Sequence, residues 1–275
     1  MREPFQHCQR SGDLLPAPLG IYGREPMNWL ALLRYRHRCW KARRRSEHAE
    51  ITALLGLIQH GDTVLDLGAH KGSYLYWLRQ AAGAEGRVLA FEPQPALAGY
   101  LRQVVQAMRW ENVSIENQGV SERPGSLTLH VPGPAGSISP GATFEPGIVA
   151  EANGQTAEVG VTTLDELFPA GSPPPSFIKC DVEGHELAVF RGGERLLRTA
   201  GPALLFECEA RHLGSRPMSE VWDTLAGWGY TGEFFAPEGL RPVAEFRPDL
   251  HQNQEGGRFW DRPGYCNNFL FQHRP

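Results

Sequence analysis

The chain has 275 residues, 41% of them hydrophobic, and a net charge of −4. This allows one large domain with a modest extension, and the weakly acidic balance gives no overall basic field for nucleic acid. No apolar run reaches the length of about 18 residues that spans a bilayer, and the N-terminus MREPFQHCQRSGD has no apolar core of a secretory signal.

Residues 1–45 stand apart. Pro4, Pro16, Pro18 and Pro26 come first, then RYRHRCWKARRRSEH, with Arg34, Arg36, Arg38, Lys41, Arg43, Arg44 and Arg45. The cations interleave with apolar residues at near-helical spacing. This favours a solvated helix whose Trp29, Leu32, Leu33 and Trp40 pack on the main domain, over a patch for nucleic acid or anionic lipid. We read 1–45 as a basic, proline-containing extension and 46–275 as the main domain. A helix is expected from Ser46 to about Gln59, stopped by Gly61.

Residues 63–93, TVLDLGAHKGSYLYWLRQAAGAEGRVLAFEP, read as one strand–helix–strand unit. Strand Thr63–Leu67 carries Asp66, a turn holds Gly68 and Gly72, and a helix follows with Leu75 and Leu78 on its apolar face. A second strand, Arg87–Phe91, runs into Glu92. Ligands of open α/β sheets bind at the carboxyl ends of the strands, and a carboxylate after the second strand suits a ribose diol. The dinucleotide pattern G-x-G-x-x-G is broken because His70 replaces its second glycine. Asp66 would repel a pyrophosphate but suits an ammonium. A ribose with an amino-acid tail and no phosphate describes S-adenosylmethionine.

Further along, the pattern predicts a helix over 95–108, a strand over 113–117, an added strand over 126–131 and its possible partner over 158–164. The intervening PGPAGSISPGATFEPG reads as a mobile loop able to close over a site. A strand over 177–181, a helix over 184–198, a strand over 203–207, a helix over 218–228 and strands over 231–235 and 268–272 complete the chain. Alternating strands and helices argue for a doubly wound, mostly parallel sheet with helices on both faces and an antiparallel last strand.

FIKCDVEGHE (177–186) places Lys179, Asp181, Glu183 and His185 at the ligand edge. Ionisable groups gathered there normally serve a ligand, a metal or a proton transfer. His185 is the first candidate for a base because it titrates near neutral pH, with Asp181 or Glu183 orienting or replacing it. LLFECEARH (204–212) adds Glu207, Glu209 and His212. Their spacing matches no metal motif, so no metal is expected. Cys8, Cys39, Cys180, Cys208 and Cys266, odd in number and without C-x-x-C spacing, favour a reducing cytoplasm.

TVLDLGAHKG, AFEP, NQGVSERPGSLTLHV, VTTLDEL and FIKCDVEGHELAVFRGG together resemble the FkbM family of S-adenosylmethionine-dependent methyltransferases. The resemblance covers roughly residues 46–210 and says nothing of the first 45. It implies a class I, Rossmann-like methyltransferase fold and methyl transfer, usually to oxygen, on sugars, polyketide-type natural products and related small molecules. By position it implies cofactor contacts from Asp66, Gly68, Ala69, His70, Lys71, Gly72, Ser73, Glu92, Pro93, Asn117 and Asp181. Asp181, Glu183 and His185 would face the acceptor. Gly119 departs from the alanine more usual in the family, which is expected to change little. A small-molecule or sugar acceptor is expected, with no nucleic acid and no membrane span. A nicotinamide-dependent sugar oxidoreductase and an inactive binding module are the alternatives.

Overall fold

Period and turn chemistry place the elements close to where the sequence puts them. The computed structural model describes residues 27–149, 154–262 and 264–274, so Cys8 and the early prolines lie outside the described residues. In chain order the elements are α1 (Trp29–Lys41), a π-helical turn (Ala42–Ser46), α2 (His48–Leu57), β1 (Thr63–Leu67), α3 (Ser73–Ala82), β2 (Arg87–Phe91), α4 (Pro95–Met108), β3 (Val113–Glu116), β4 (Gly119–Val120) and β5 (Gly125–Pro132). Then come β6 (Gly154–Thr162), α5 (Leu164–Leu167), β7 (Phe177–Cys180), α6 (Glu186–Arg191), α7 (Glu194–Ala200), β8 (Ala203–Glu207), α8 (Ser219–Gly227), β9 (Tyr230–Ala236), β10 (Gly239–Pro242), α9 (Pro248–His251) and β11 (Asn268–His273).

Eight strands form the main sheet in the order β10-β9-β11-β8-β7-β1-β2-β3. β1, β2, β3, β7 and β8 run parallel, and β11 lies antiparallel to both β8 and β9. This is the expected doubly wound sheet with its antiparallel last strand, extended by the edge strand β10. The expected pair at 126–131 and 158–164 forms a second, three-stranded sheet, β4-β6-β5. Apolar side chains on both faces of the main sheet give two cores. One gathers Tyr35, Leu54, Leu75 and Leu101 under α1–α4, and the other Leu65, Ile178, Phe190, Phe206 and Phe269 under α6–α8. No helix among the described residues is long and apolar enough to cross a membrane. Cys39, Cys180, Cys208 and Cys266 are free and buried.

Three expectations change. The helix expected over 184–198 is two helices that meet at Gly192 and Gly193. A Cβ on Gly192 would lie 2.0 Å from the Ser121 carbonyl oxygen, so glycine is required where the residue after β4 passes. The stretch after β5 folds back, pairing His130 with Thr143 through two backbone hydrogen bonds. On α1, Trp29, Leu33 and Trp40 are exposed, and the side packed inward carries Tyr35 and Cys39. Long-range bonds choose that side: the Tyr35 hydroxyl donates to the Gly72 carbonyl at 3.0 Å, and Trp77 Nε1 donates to the Cys39 carbonyl at 3.1 Å.

Candidate active site

The turn after β1 is fixed by neighbouring backbone. Gly68 adopts φ +78°, and a Cβ there would lie 1.9 Å from the Asp181 carbonyl oxygen, so only glycine lets the ends of β1 and β7 approach this closely. The Gly68 and Ala69 N–H groups donate to the Phe91 carbonyl at 2.9 and 3.0 Å. His70 sits at φ 47°, and the Lys71 carbonyl accepts from Arg38. Gly72 takes φ +76° and Ser73 opens α3.

Asp66 pairs in register with Ala90 on one side and Lys179 on the other. It is 2% exposed, and its Oδ2 has no partner. Burial raises its pKa to about 7, against the pull of Lys179. Glu92 is equally buried and, again through burial, is raised to about 7. Its two oxygens accept from the His70 N–H at 2.7 Å and the Gln94 N–H at 2.9 Å, leaving each oxygen a second lone pair. Asn117 does not face the cavity. Its amide donates to the Glu92 and Pro93 carbonyls, and Gln118 lines the opening instead.

Two openings flank the Gly68–His70 turn. One, a cavity of about 70 Å³, is bordered by Glu92, Pro93, Gln118, Phe144, Asp181 and Glu183. It is tight because Gln94 holds Ser139 through two hydrogen bonds, drawing the 133–149 segment over it. The other, about 340 Å³, is bordered by Arg38, Glu47, Asp66, Tyr74, Lys179 and Asp181. Asp181 borders both.

Lys179 is buried on β7, with Nζ 3.2 Å from Asp181 Oδ2 and 4.7 Å from the Tyr74 ring centroid. Burial alone would lower its pKa, but Asp181, Asp66 and Glu207 outweigh it and hold the ammonium charged. Beyond Asp181, Glu183 Oε2 lies 3.0 Å from His212 Nδ1. Asp181, Glu183 and Glu207 offer oxygens within 4.8 Å of one another, the one such group among the described residues, and could hold a divalent cation. Burial and the neighbouring acids raise Glu183 and Glu207 well above the usual carboxylate range. Burial pushes Glu209 the same way, but hydrogen bonds from Arg211, Glu207 and Tyr265 hold it at about 2.

His185 precedes α6 and borders neither opening. Its Nε2 lies 2.8 Å from Ser121 Oγ and its Nδ1 2.7 Å from Glu145 Oε1, so both ring nitrogens are engaged. Arg216 donates to Glu145 Oε2 at 2.8 Å, and Thr143 Oγ1 donates to the Glu183 carbonyl at 2.7 Å. Sequence reading missed Glu145, Thr143, Ser121 and Arg216. Glu145, Thr143 and Arg216 lie in stretches with no motif, and Ser121, although inside NQGVSERPGSLTLHV, carries no signal of its partner; only tertiary contact brings them together. Phe144 was missed too. A Cβ on Gly119 would lie 2.6 Å from its ring, so the glycine that departs from the family pattern makes room for this aromatic wall.

The sheet order, the antiparallel β11 and acids at the ends of β1 and β2 around a glycine turn define a class I methyltransferase fold. A family model described as the methyltransferase FkbM domain matches residues 66–231, and the chain belongs to that family. Hexuronic acid methyltransferase AglP of Haloferax volcanii is 30% identical over 169 residues, which are 58% of this chain and 62% of the relative. Ribosomal RNA large subunit methyltransferase E of Verminephrobacter eiseniae is 40% identical over 62 residues, 22% of this chain and 26% of that protein. The chain therefore spans less than two thirds of either curated relative. Among solved structures, an FkbM methyltransferase from Methylobacillus flagellatus is similar with a TM-score of 0.49 and 18% identity, over 79% of this chain and 45% of its own. A SAM-dependent methyltransferase from Aquifex aeolicus has a TM-score of 0.45 and 14% identity, over 88% of this chain and 97% of its own.

Proposed function

We propose that this chain is a cytoplasmic O-methyltransferase that uses S-adenosylmethionine to methylate a hydroxyl of a small molecule, sugar or glycan, or natural product. The observation that carries the reading is the pair Asp66 and Glu92: two buried carboxylates, one near the end of β1 and one directly after the parallel β2, either side of a glycine turn. Asp66 keeps an unpartnered oxygen that suits the ammonium of an amino-acid tail. Glu92 keeps lone pairs for a ribose diol. S-Adenosylmethionine supplies a methyl group already activated by its sulfonium. The residues of the chain hold the reactants in line, a contribution that reaches roughly 7–11 kcal/mol in well-oriented reactions. They also remove the acceptor proton, typically worth about 10²–10⁴-fold.

Asp181 and Glu183, which reach the cavity, take the acceptor proton. Glu183, raised by burial and by Asp181, is a stronger base than an ordinary carboxylate once ionised. With both nitrogens engaged, His185 acts on this reading by fastening Glu145 and the 133–149 segment beside the acceptor. The sugar hydroxyl is supported by the hexuronic acid named in the AglP relative.

Calorimetry with S-adenosylmethionine, S-adenosylhomocysteine and NAD tests the cofactor, and radiolabelled methyl transfer to a panel of sugars and uronic acids tests the reaction. The expected result is binding of the first two ligands and base-stable label on an acceptor oxygen. Binding of NAD alone would overturn the reading in favour of an oxidoreductase. Cofactor binding with no transfer to any acceptor in metabolite extracts would favour the binding module.

A further inference from the structure

Of the seven large apolar side chains exposed among the described residues, four (Trp29, Leu30, Leu33 and Trp40) lie on α1. At about 100° per residue, Trp29, Leu33 and Trp40 form one stripe. Leu30 and His37 flank it, facing away from the buried Tyr35 and Cys39. Exposed apolar residues scattered singly are ordinary, but gathered on one helix face they mark an interaction surface.

The charge around the stripe is one-sided. Between Trp29 and Ser46 lie seven of the chain's 27 Lys and Arg and none of its 31 Asp and Glu, on a chain of net charge −4. Arg34, Arg36, Lys41, Arg44 and Arg45 are exposed and form no ion pair among the described residues. The surface is also firmly mounted. Trp40 meets Trp77 edge to face at 5.0 Å, and the Arg43 guanidinium lies 4.6 Å from the Trp77 ring centroid.

We propose that this face docks on an anionic lipid bilayer. Trp29, Leu30 and Leu33 enter the headgroup layer, and the surrounding arginines meet lipid phosphates. An interfacial helix has this pattern: aromatic and aliphatic residues on one stripe, cations beside it and no membrane-spanning length. Leu30 and Leu33 favour lipid over nucleic acid, because aliphatic side chains offer bases no stacking surface. The same helix and turn carry Arg38, Lys41 and Ser46 into the wall of the larger opening beside Asp66 and Asp181.

The full-length chain is tested by co-sedimentation with phosphatidylcholine vesicles with and without phosphatidylglycerol. The expected result is binding that requires phosphatidylglycerol, weakens with salt and shifts tryptophan emission to the blue. Trp29→Ser with Leu33→Ser, and separately Arg34→Gln with Arg36→Gln, each lower partitioning at least about tenfold, with melting temperature unchanged. No binding to anionic vesicles overturns the proposal, as does equal binding by both variants. Tighter, variant-sensitive binding to mixed-sequence RNA would assign the face to nucleic acid. Self-association lost in Trp29→Ser with Leu33→Ser would assign it to a second copy of the chain.

Discussion

The β1–β2 half of the site and the β7–β8 half are built in opposite ways. In the first, Asp66, the Gly68–Gly72 turn and Glu92 lie within 27 residues of chain, and Glu92 ties the turn through His70 and Gln94. In the second, Glu183 and His185 are held by Thr143, Glu145 and Ser121, each at least 40 residues away, and Arg216 donates to the Gly184 carbonyl between them. A nucleoside site can be specified by one local unit because its ligand does not vary. An acceptor site assembled from distant segments can change with its substrate.

The largest effect is expected at the hinge of the local half. Glu92→Ala leaves the buried N–H groups of His70 and Gln94 without acceptors, at ~1–3 kcal/mol each, and removes the carboxylate proposed to hold the ribose. Calorimetry and thermal melting should show cofactor affinity and stability falling together. Unchanged affinity for both S-adenosylmethionine and S-adenosylhomocysteine would remove the ribose assignment.

Next is the distant half. Glu145→Ala and His185→Ala should each lower kcat at least about tenfold while cofactor affinity stays within a few-fold. Matching losses in the two variants, with the wild-type pH profile retained, mark His185 as a fastener. A much larger loss in His185→Ala, with the acid limb of the profile gone, would make it the base and shift the role away from Glu183.

Protonation distinguishes the halves further. Burial raises both Asp66 and Glu92 to about 7, above the ordinary values of an unfolded chain. The folded chain without cofactor then holds more protons than the unfolded one, so these groups' contribution to stability is full at low pH and is lost as pH rises through about 7. A cationic ligand favours the ionised forms. Its affinity should therefore rise between about pH 6 and about pH 8, by up to about tenfold per group. A pH-independent Kd would mean that neither carboxylate changes charge on binding.

Turnover is expected to survive a chelator. Glu183 and Glu207 titrate well above the usual range, so protons compete for the oxygens that a cation would need. Activity lost to chelation and restored by magnesium or manganese would turn Asp181, Glu183 and Glu207 into a cation site. The smallest effect belongs to Gly119→Ala. Its new methyl must displace the end of the Phe144 ring, costing about 1 kcal/mol and changing acceptor KM more than cofactor Kd.

Legibility follows the same division. The strands around Asp66 and Glu92, the α4 boundaries and the pairing of β5 with β6 could be read from period and turn chemistry, because local apolar pattern and burial agree there. The inward side of α1 was legible only at Leu32, which packs on the core, since tyrosine and cysteine also packed inward while Trp29, Leu33 and Trp40 stayed exposed. No propensity encodes the Gly72 carbonyl that draws Tyr35 in. The glycine at 192 answers to Ser121, 71 residues earlier in the chain. Glu145 sits in a glycine- and proline-rich stretch whose composition signals only a loop. His185 stood out in the sequence because of its acidic neighbours, but its partners, which decide what it can do, did not.

The outermost rung of the small sheet pairs Pro132 with Gly154, so the segment carrying Ser139, Thr143, Phe144 and Glu145 leaves and re-enters the body at one point. Closing a longer excursion from such a base costs only ~0.6 kcal/mol per doubling of length. The segment thus behaves as an exchangeable cassette. Grafting a different hairpin tip between these two residues would re-cut the wall of the cavity and, on the β1–β2 side, release only the Gln94 side chain that Ser139 now engages, a practical route to new acceptors.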